Sequence, residues 1–256
     1  MAIPREPNED LALKALPEPL RKAIQATFKH GLPGCALVGG TALAGFYACH
    51  RESDDMDLFT ADATAQAMTV AAVKALKKIG ATLSDERNSP NFYHTLATLS
   101  GRNFTVDVVL DSNIHKIGTF AQSKTGVRIA SLETLLMMKI AALVSRCSEK
   151  DLYDLIWLTE HYRHPDIEEW VALGRQVDGG SDAESMLISL TGANLRMEAC
   201  GFAAKFGGVP AEVFKSVSGF RNSLQKKLAI HLEKTPPQAA IAPLLKEIRR
   251  LRRKDK

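Results

Sequence analysis

From Leu11 to His30 the apolar residues recur at helical spacing. The pattern predicts an amphipathic helix kinked or split at Pro17 and Pro19 and closed by Gly31-Leu32-Pro33-Gly34. Ala36-Leu37-Val38 is a short continuous apolar run, the mark of a buried strand. Gly39-Gly40-Thr41 follows, and Ala42 to Cys49 has the composition of a helix, so the glycines fall in a strand-to-helix turn. A second strand over Met56–Thr60 is preceded by Asp55, and Asp62 is placed to cap a helix whose stripe of Val73, Leu76 and Ile79 stops at Gly80. Between Phe92 and Leu110 two β-rich runs are broken at Ser100-Gly101-Arg102-Asn103, which predicts a hairpin. Val127-Arg128-Ile129 adds a further strand.

From Ser131 onward the pattern is almost exclusively helical, punctuated by Pro165, Gly179-Gly180, Gly207-Gly208 and Pro236-Pro237. The fold class expected is therefore α+β. Residues 1–130 form a core with a small mixed β-sheet flanked by helices, and residues 131–256 form an all-helical C-terminal region. A chain of 256 residues is long enough for that division.

Hydrophobic residues at 45% and charged residues at 24% are ordinary globular usage and exclude a disordered or fibrous chain. No apolar run approaches the roughly 20 residues that span a bilayer. The polar start MAIPREPNED lacks the pattern of a secretory signal, so a cytoplasmic location and no membrane partner are expected. Cys35, Cys49, Cys147 and Cys200 show no C-x-x-C spacing, and the seven histidines show no ligand spacing. The net charge of +4 is carried by the C-terminal stretch Lys246–Lys256, with seven Lys/Arg against Glu247 and Asp255. That basic tail is either a phosphate-backbone contact or a solvated end.

Alternate residues of a strand share a face, so Asp55 and Asp57 aim one way while Met56 and Leu58 face the core. Two carboxylates so placed repel, and a divalent cation removes the penalty; Mg²⁺ (or Mn²⁺) takes a few carboxylate oxygens and keeps places for water and phosphate. In Phe104-Thr105-Val106-Asp107-Val108-Val109-Leu110, Asp107 points away from its apolar neighbours and is a third candidate carboxylate. It suits the metal set, or positioning or deprotonating an attacking hydroxyl. The Gly39-Gly40-Thr41 turn opens a helix whose amides and dipole suit a triphosphate, with missing Cβ atoms letting it approach. Either feature alone is weak, since a glycine pair is often a tight connection and a D-x-D often a surface turn.

Lys139 lies in the middle of an otherwise apolar helix over Ser131–Val144. It must reach water, pair with a carboxylate or meet a bound phosphate, and the last two together are expected. In the next segment Ser148 and Asp151 suit the capping of a new helix; if one helix runs through instead, Arg146, Lys150 and Asp154 stack on one face.

Taken together, GGTALAGFYACHRESDDMDLFT (residues 39–60) and RCSEKDLYD (residues 146–154) resemble the AbiEii/AbiGii toxin family of nucleotidyltransferases of type IV toxin–antitoxin systems, within the DNA polymerase β-like superfamily. The resemblance implies a metal-dependent transferase that moves NMP from an NTP to an acceptor hydroxyl, of tRNA or protein, with a cognate antitoxin as partner. It implies Asp55 and Asp57 as metal ligands, and Gly39, Gly40, Thr41 and Ser53 around the nucleotide phosphates. Lys139 and Lys150 would bind the triphosphate within an element that also holds Arg146 and Asp151, and Asp154 would lie near the nucleotide or acceptor among the catalytic residues. An antibiotic-type transferase for small molecules and a non-catalytic nucleotide- or partner-binding module stay open as alternatives.

Overall fold

The computed structural model describes residues 6–234. The proline-split N-terminal segment forms α1 (Glu9–Ala15) and α2 (Glu18–Phe28), with Pro17 and Pro19 at the junction where a missing N–H costs nothing. Then come β1 (Cys35–Leu37), α3 (Gly39–Leu43) with a π-helical continuation over Ala44–Ala48, β2 (Asp55–Thr60) and α4 (Ala63–Lys74). Asp62 caps α4 through a bond from the Ala65 N–H, as its position predicts. A 3₁₀ turn over Ala75–Ile79 ends at Gly80, which takes the left-handed conformation at φ 89°. Val73 and Leu76 are buried, whereas Ile79 is exposed and leaves the predicted stripe.

The hairpin appears as β4 (Phe92–Leu99) and β5 (Arg102–Leu110), preceded by β3 (Thr82–Ser89), which the sequence pattern did not show. Seven of the eight β3 residues are exposed, so the strand carries no hydrophobic alternation to read. The short helix α5 (Ser112–Ile117), β6 (Phe120–Gln122) and β7 (Arg128–Ala130) complete the sheet region. Strand order is β3-β4-β5-β2-β1-β7-β6, with β2 parallel to β5, β1 parallel to β7 and the other pairs antiparallel. The expected mixed sheet is therefore present, with more strands than the pattern foretold.

Helices follow: α6 (Leu132–Ser145), α7 (Glu149–His161), α8 (Ile167–Val177), α9 (Ala183–Gly192), a 3₁₀ segment over Met197–Phe206 and α10 (Pro210–Lys234). One buried apolar cluster runs from Ala12 through the sheet to Leu228. The helical region packs on the sheet through α6, which contacts α3 and β7, and α7 packs on α6. No helix among the described residues is long and apolar enough to cross a membrane. The basic stretch Lys246–Lys256 and Pro236-Pro237 lie outside the described residues.

Candidate active site

Along β2, Met56, Leu58 and Thr60 are buried while Asp55, Asp57 and Phe59 alternate onto the other, partly open face. The parallel partner β5 sets Thr105 beside Asp55 and Asp107 beside Asp57. The antiparallel partner β4 sets His94 beside Asp107. Since register neighbours point to the same side of a sheet, His94, Asp107 and Asp57 form a row across three strands. Thr105 Oγ1 donates to Asp55 Oδ1 at 2.8 Å, and His94 Nδ1 lies 2.6 Å from Asp107 Oδ1.

The glycine turn closes over this row. Gly39 has φ 68°, and a Cβ there would come within 2.0 Å of Asp57 Oδ2; a Cβ on Gly40 would come within 2.3 Å of Arg51 Nη2. The glycines thus make room for the protein's own charged groups. Thr41 is fully buried: its hydroxyl donates to the Asp55 carbonyl and lies 2.9 Å from Ser53 Oγ, and Ser53 is buried as well. Neither side chain lines the cleft, so a phosphate contact by Thr41 would fall to its backbone amide, and these hydroxyls tie the turn to the approach of β2.

A second charged cluster comes from α6 and α7. Ser148 caps α7, accepting from the Asp151 N–H and donating to Asp151 Oδ2. Two helices therefore meet at residues 146–148, and Arg146, Lys150 and Asp154 do not share one continuous helix face. Lys139, 6% exposed, bonds Asp151 Oδ1 at 2.8 Å and Asp154 Oδ2 at 2.7 Å. Asp154 is completely buried and also receives Arg51 Nε at 2.6 Å and Nη2 at 2.8 Å, with His50 Nε2 at 2.9 Å. Burial works against the Asp154 charge, but Arg51 and Lys139 outweigh it and hold the carboxyl well below its usual range. Burial opposes the Lys139 charge too, and Asp154 and Asp151 outweigh it, raising the ammonium's pKa. At His50 burial prevails over the Asp154 contact and pushes the imidazole down, toward the neutral form.

Two buried carboxylates and two buried cations thus balance. Asp154 does not line the cleft; expected near nucleotide or acceptor, it instead fixes Arg51 and Lys139 from behind. The cleft has a volume of about 320 Å³. Its acidic wall is Asp55, Asp57, Thr105 and Asp107; its floor is Gly40 and Arg51; its opposite wall is Lys139, Arg146, Ser148, Lys150 and Asp151. Asp57 is the strained member: burial, then the Asp55 charge, then that of Asp107 push its carboxyl up to about 6. Among the described residues no group of three or more His, Cys, Asp and Glu side chains is arranged to hold a metal ion unaided.

Arg51, His50, His94 and Thr105 are the residues that sequence reasoning missed. His94 was within reach: a hairpin turning at Ser100-Gly101 pairs Leu99 with Arg102, and counting back along both strands pairs His94 with Asp107. Arg51 carried no such signal, because its partner lies 103 residues away.

A profile of the family described as nucleotidyl transferase AbiEii toxin, type IV TA system, matches residues 20–199. Among solved structures, JHP933 from Helicobacter pylori is 18% identical, covering 89% of this chain and 97% of its own, at a TM-score of 0.47. MenT4, a nucleotidyltransferase toxin from Mycobacterium tuberculosis H37Rv, is 13% identical, covering 82% of this chain and 90% of its own, at a TM-score of 0.46. No curated protein matches the chain. The family match covers most of the chain and every residue of the cleft: the chain belongs to the AbiEii nucleotidyl transferase toxin family.

Proposed function

We propose that this nucleotidyltransferase moves the NMP unit of an NTP onto an acceptor hydroxyl, of RNA or protein, with Asp55 and Asp57 holding a divalent cation. The observation that carries the reading is the row of Asp55, Asp57 and Asp107 on one face of β2 and β5, lining the same cleft as Lys139, Arg146 and Lys150; burial and the neighbouring carboxylates raise the Asp57 carboxyl to about 6. Lys139 and Arg146 offset the crowded negative charge only in part, and a cation between the carboxylates and a bound polyanion would offset the rest. With no three-ligand cage among the described residues, the donor set fits an open oxygen site of the Mg²⁺ or Mn²⁺ kind, completed by water and phosphate oxygens. When bound, such an ion stabilises the charge that develops on the transferring phosphoryl group.

The chain's own residues do the positioning. Arg146 and Lys150, on the wall opposite the carboxylates, hold the phosphates, while Lys139 in that wall and Arg51 in the floor supply fixed positive charge. Asp107 faces the acceptor hydroxyl and orients it or takes its proton. The freed oxygen bonds to the α-phosphorus, the bond from that phosphorus to the bridging oxygen breaks, and pyrophosphate leaves with the electron pair. As a member of a type IV toxin–antitoxin family, the protein has an antitoxin as its implied partner. The test is incorporation of radiolabelled NTP into total RNA and total protein. Wild-type enzyme labels one of these pools and Asp57→Ala labels neither; undiminished labelling by the variant overturns the assignment.

A further inference from the structure

His94 stands just behind the cleft's acidic wall, in contact with Asp107, and takes no part in the metal or phosphate contacts proposed above. It stands on β4 as the register partner of Asp107, and its Nδ1 lies 2.6 Å from Asp107 Oδ1. The ring tautomer sets the direction of this contact: with the proton on Nδ1, His94 donates and the carboxylate oxygen accepts. The ring is held from one side by Phe92, two residues earlier on the same strand face, at a centroid separation of 6.3 Å and an interplanar angle of 20°. On the reverse face of β4, Tyr93 and Thr95 are buried and fix the strand.

The consequence follows from the row of side chains. Asp107 stands next to Asp57, whose charge it already strains, and free rotation about its side-chain bonds would let its oxygens wander toward or away from that neighbour. One short, charge-assisted bond to an anchored ring removes that freedom and leaves Asp107 Oδ2 for a ligand. Strand order adds a direction: β4 and β5 lie on the side of β2 opposite β1, after which comes the Gly39-Gly40 turn. Phosphates held at the Gly40 end of the row would leave the β4 side for the other reactant.

We propose that His94 is the positioning residue of Asp107 and that the acceptor hydroxyl enters the cleft from the β4 side. The inference rests on the nucleotidyl-transfer reading and names the group that sets its acceptor geometry. His94 acts through Asp107; it is not itself the base.

The experiment compares His94→Ala, His94→Asn, Asp107→Asn and the double variant His94→Ala/Asp107→Asn, with radiolabelled NTP and total RNA or protein, whichever wild type labels. Asparagine places an amide N–H where Nδ1 sits. His94→Ala is expected to lower kcat by about 10- to 100-fold with the NTP KM unchanged, the loss that follows from mis-setting one catalytic group. His94→Asn restores most of it. The double variant is no slower than Asp107→Asn, because both changes remove one function. Wild-type kcat in His94→Ala, a full additional loss in the double variant, or His94→Asn as slow as His94→Ala each overturns the proposal. A readout free of turnover is the ¹⁵N spectrum of the His94 ring, which shows the proton on Nδ1 in wild type and loses that signature in Asp107→Ala, where no acceptor remains; a wild-type ring without a proton on Nδ1 overturns it as well. If wild type labels nothing, the transfer reading fails, while the ring spectrum still decides the His94–Asp107 contact.

Discussion

Gly39 and Asp57 occupy the same space: at φ 68° the Gly39 backbone leaves so little room that an added Cβ would sit 2.0 Å from Asp57 Oδ2. The missing methyl group therefore serves the carboxylate before it serves any phosphate. Gly39→Ala places an L-residue in the left-handed region, which costs about 1–2 kcal/mol, and drives the Asp57 carboxylate out of its row. At the usual sensitivity of a chain of this size, the melting temperature falls by roughly 2–8 °C. Transfer activity falls further than stability, by about 100-fold or more, since the displaced group is a proposed metal ligand. Thermal melts and NTP-labelling rates check both, and normal turnover in Gly39→Ala would show that the turn does not set Asp57.

Much of this was legible in local pattern. Alternation in β2 put Asp55 and Asp57 on one face, and Ser148 followed by Asp151 announced the start of α7. Lys139, a cation amid apolar residues, announced a buried partner, and it has two. What stayed hidden depends on pairing between distant segments or on surfaces without hydrophobic contrast. The polar strand β3 carries no period-2 signal because nearly all of it faces solvent. Arg51 reads as an ordinary surface arginine until α7 brings Asp154 against it. Asp154 itself matched a family motif, but only the packing shows that it is sealed behind the cleft wall.

The Asp57 shift makes a prediction about stability and pH. Its folded pKa of about 6 exceeds the ordinary 3.8, so the native state holds this proton more tightly than the unfolded chain. As pH rises from about 4 to about 6 the unfolded chain deprotonates first and the native state loses stability, by at most about 3 kcal/mol, with water screening part of it. Above that window the penalty is constant. Asp57→Asn removes it: in metal-free buffer at pH 8 the variant melts above wild type, at pH 4 the two converge, and the variant transfers nothing. Added Mg²⁺ raises the wild-type melting temperature at pH 8 and leaves Asp57→Asn unmoved. A variant less stable than wild type at pH 8 would contradict the assignment of that shift.

Asp154→Ala predicts the opposite sign. Removing this carboxylate strands Arg51 and Lys139 as buried cations with one partner fewer. Breaking a buried ion pair from one side costs about 3–5 kcal/mol, which lowers the melting temperature by roughly 6–20 °C. The pH dependence follows from a folded pKa held below 3.8: the stabilisation is present above that value and is lost as pH falls through the folded pKa. Chemical denaturation of wild type and Asp154→Ala at pH 7 and again below pH 3 tests this, with the gap between them narrowing in acid. A gap that persists unchanged in acid would remove the buried carboxylate as the source of stability.

Lys150 and Lys139 separate phosphate binding from framework. Lys139 spends its charge on Asp151 and Asp154, whereas Lys150 is exposed on the cleft rim and forms no ion pair among the described residues. Lys150 also sits in the first turn of α7, where a cation opposes the helix dipole, so the fold gains nothing from its charge there. A charge-assisted contact to phosphate is worth about 1.5–3 kcal/mol, so Lys150→Gln raises the NTP KM by about 10- to 100-fold. As a surface change it moves stability by no more than about 0.5 kcal/mol. Lys139→Gln instead leaves two buried carboxylates undercompensated, and its main effect is on the melting temperature. Paired measurement of KM and melting temperature for the two variants decides the matter: a normal NTP KM in Lys150→Gln would return the triphosphate contact to Lys139.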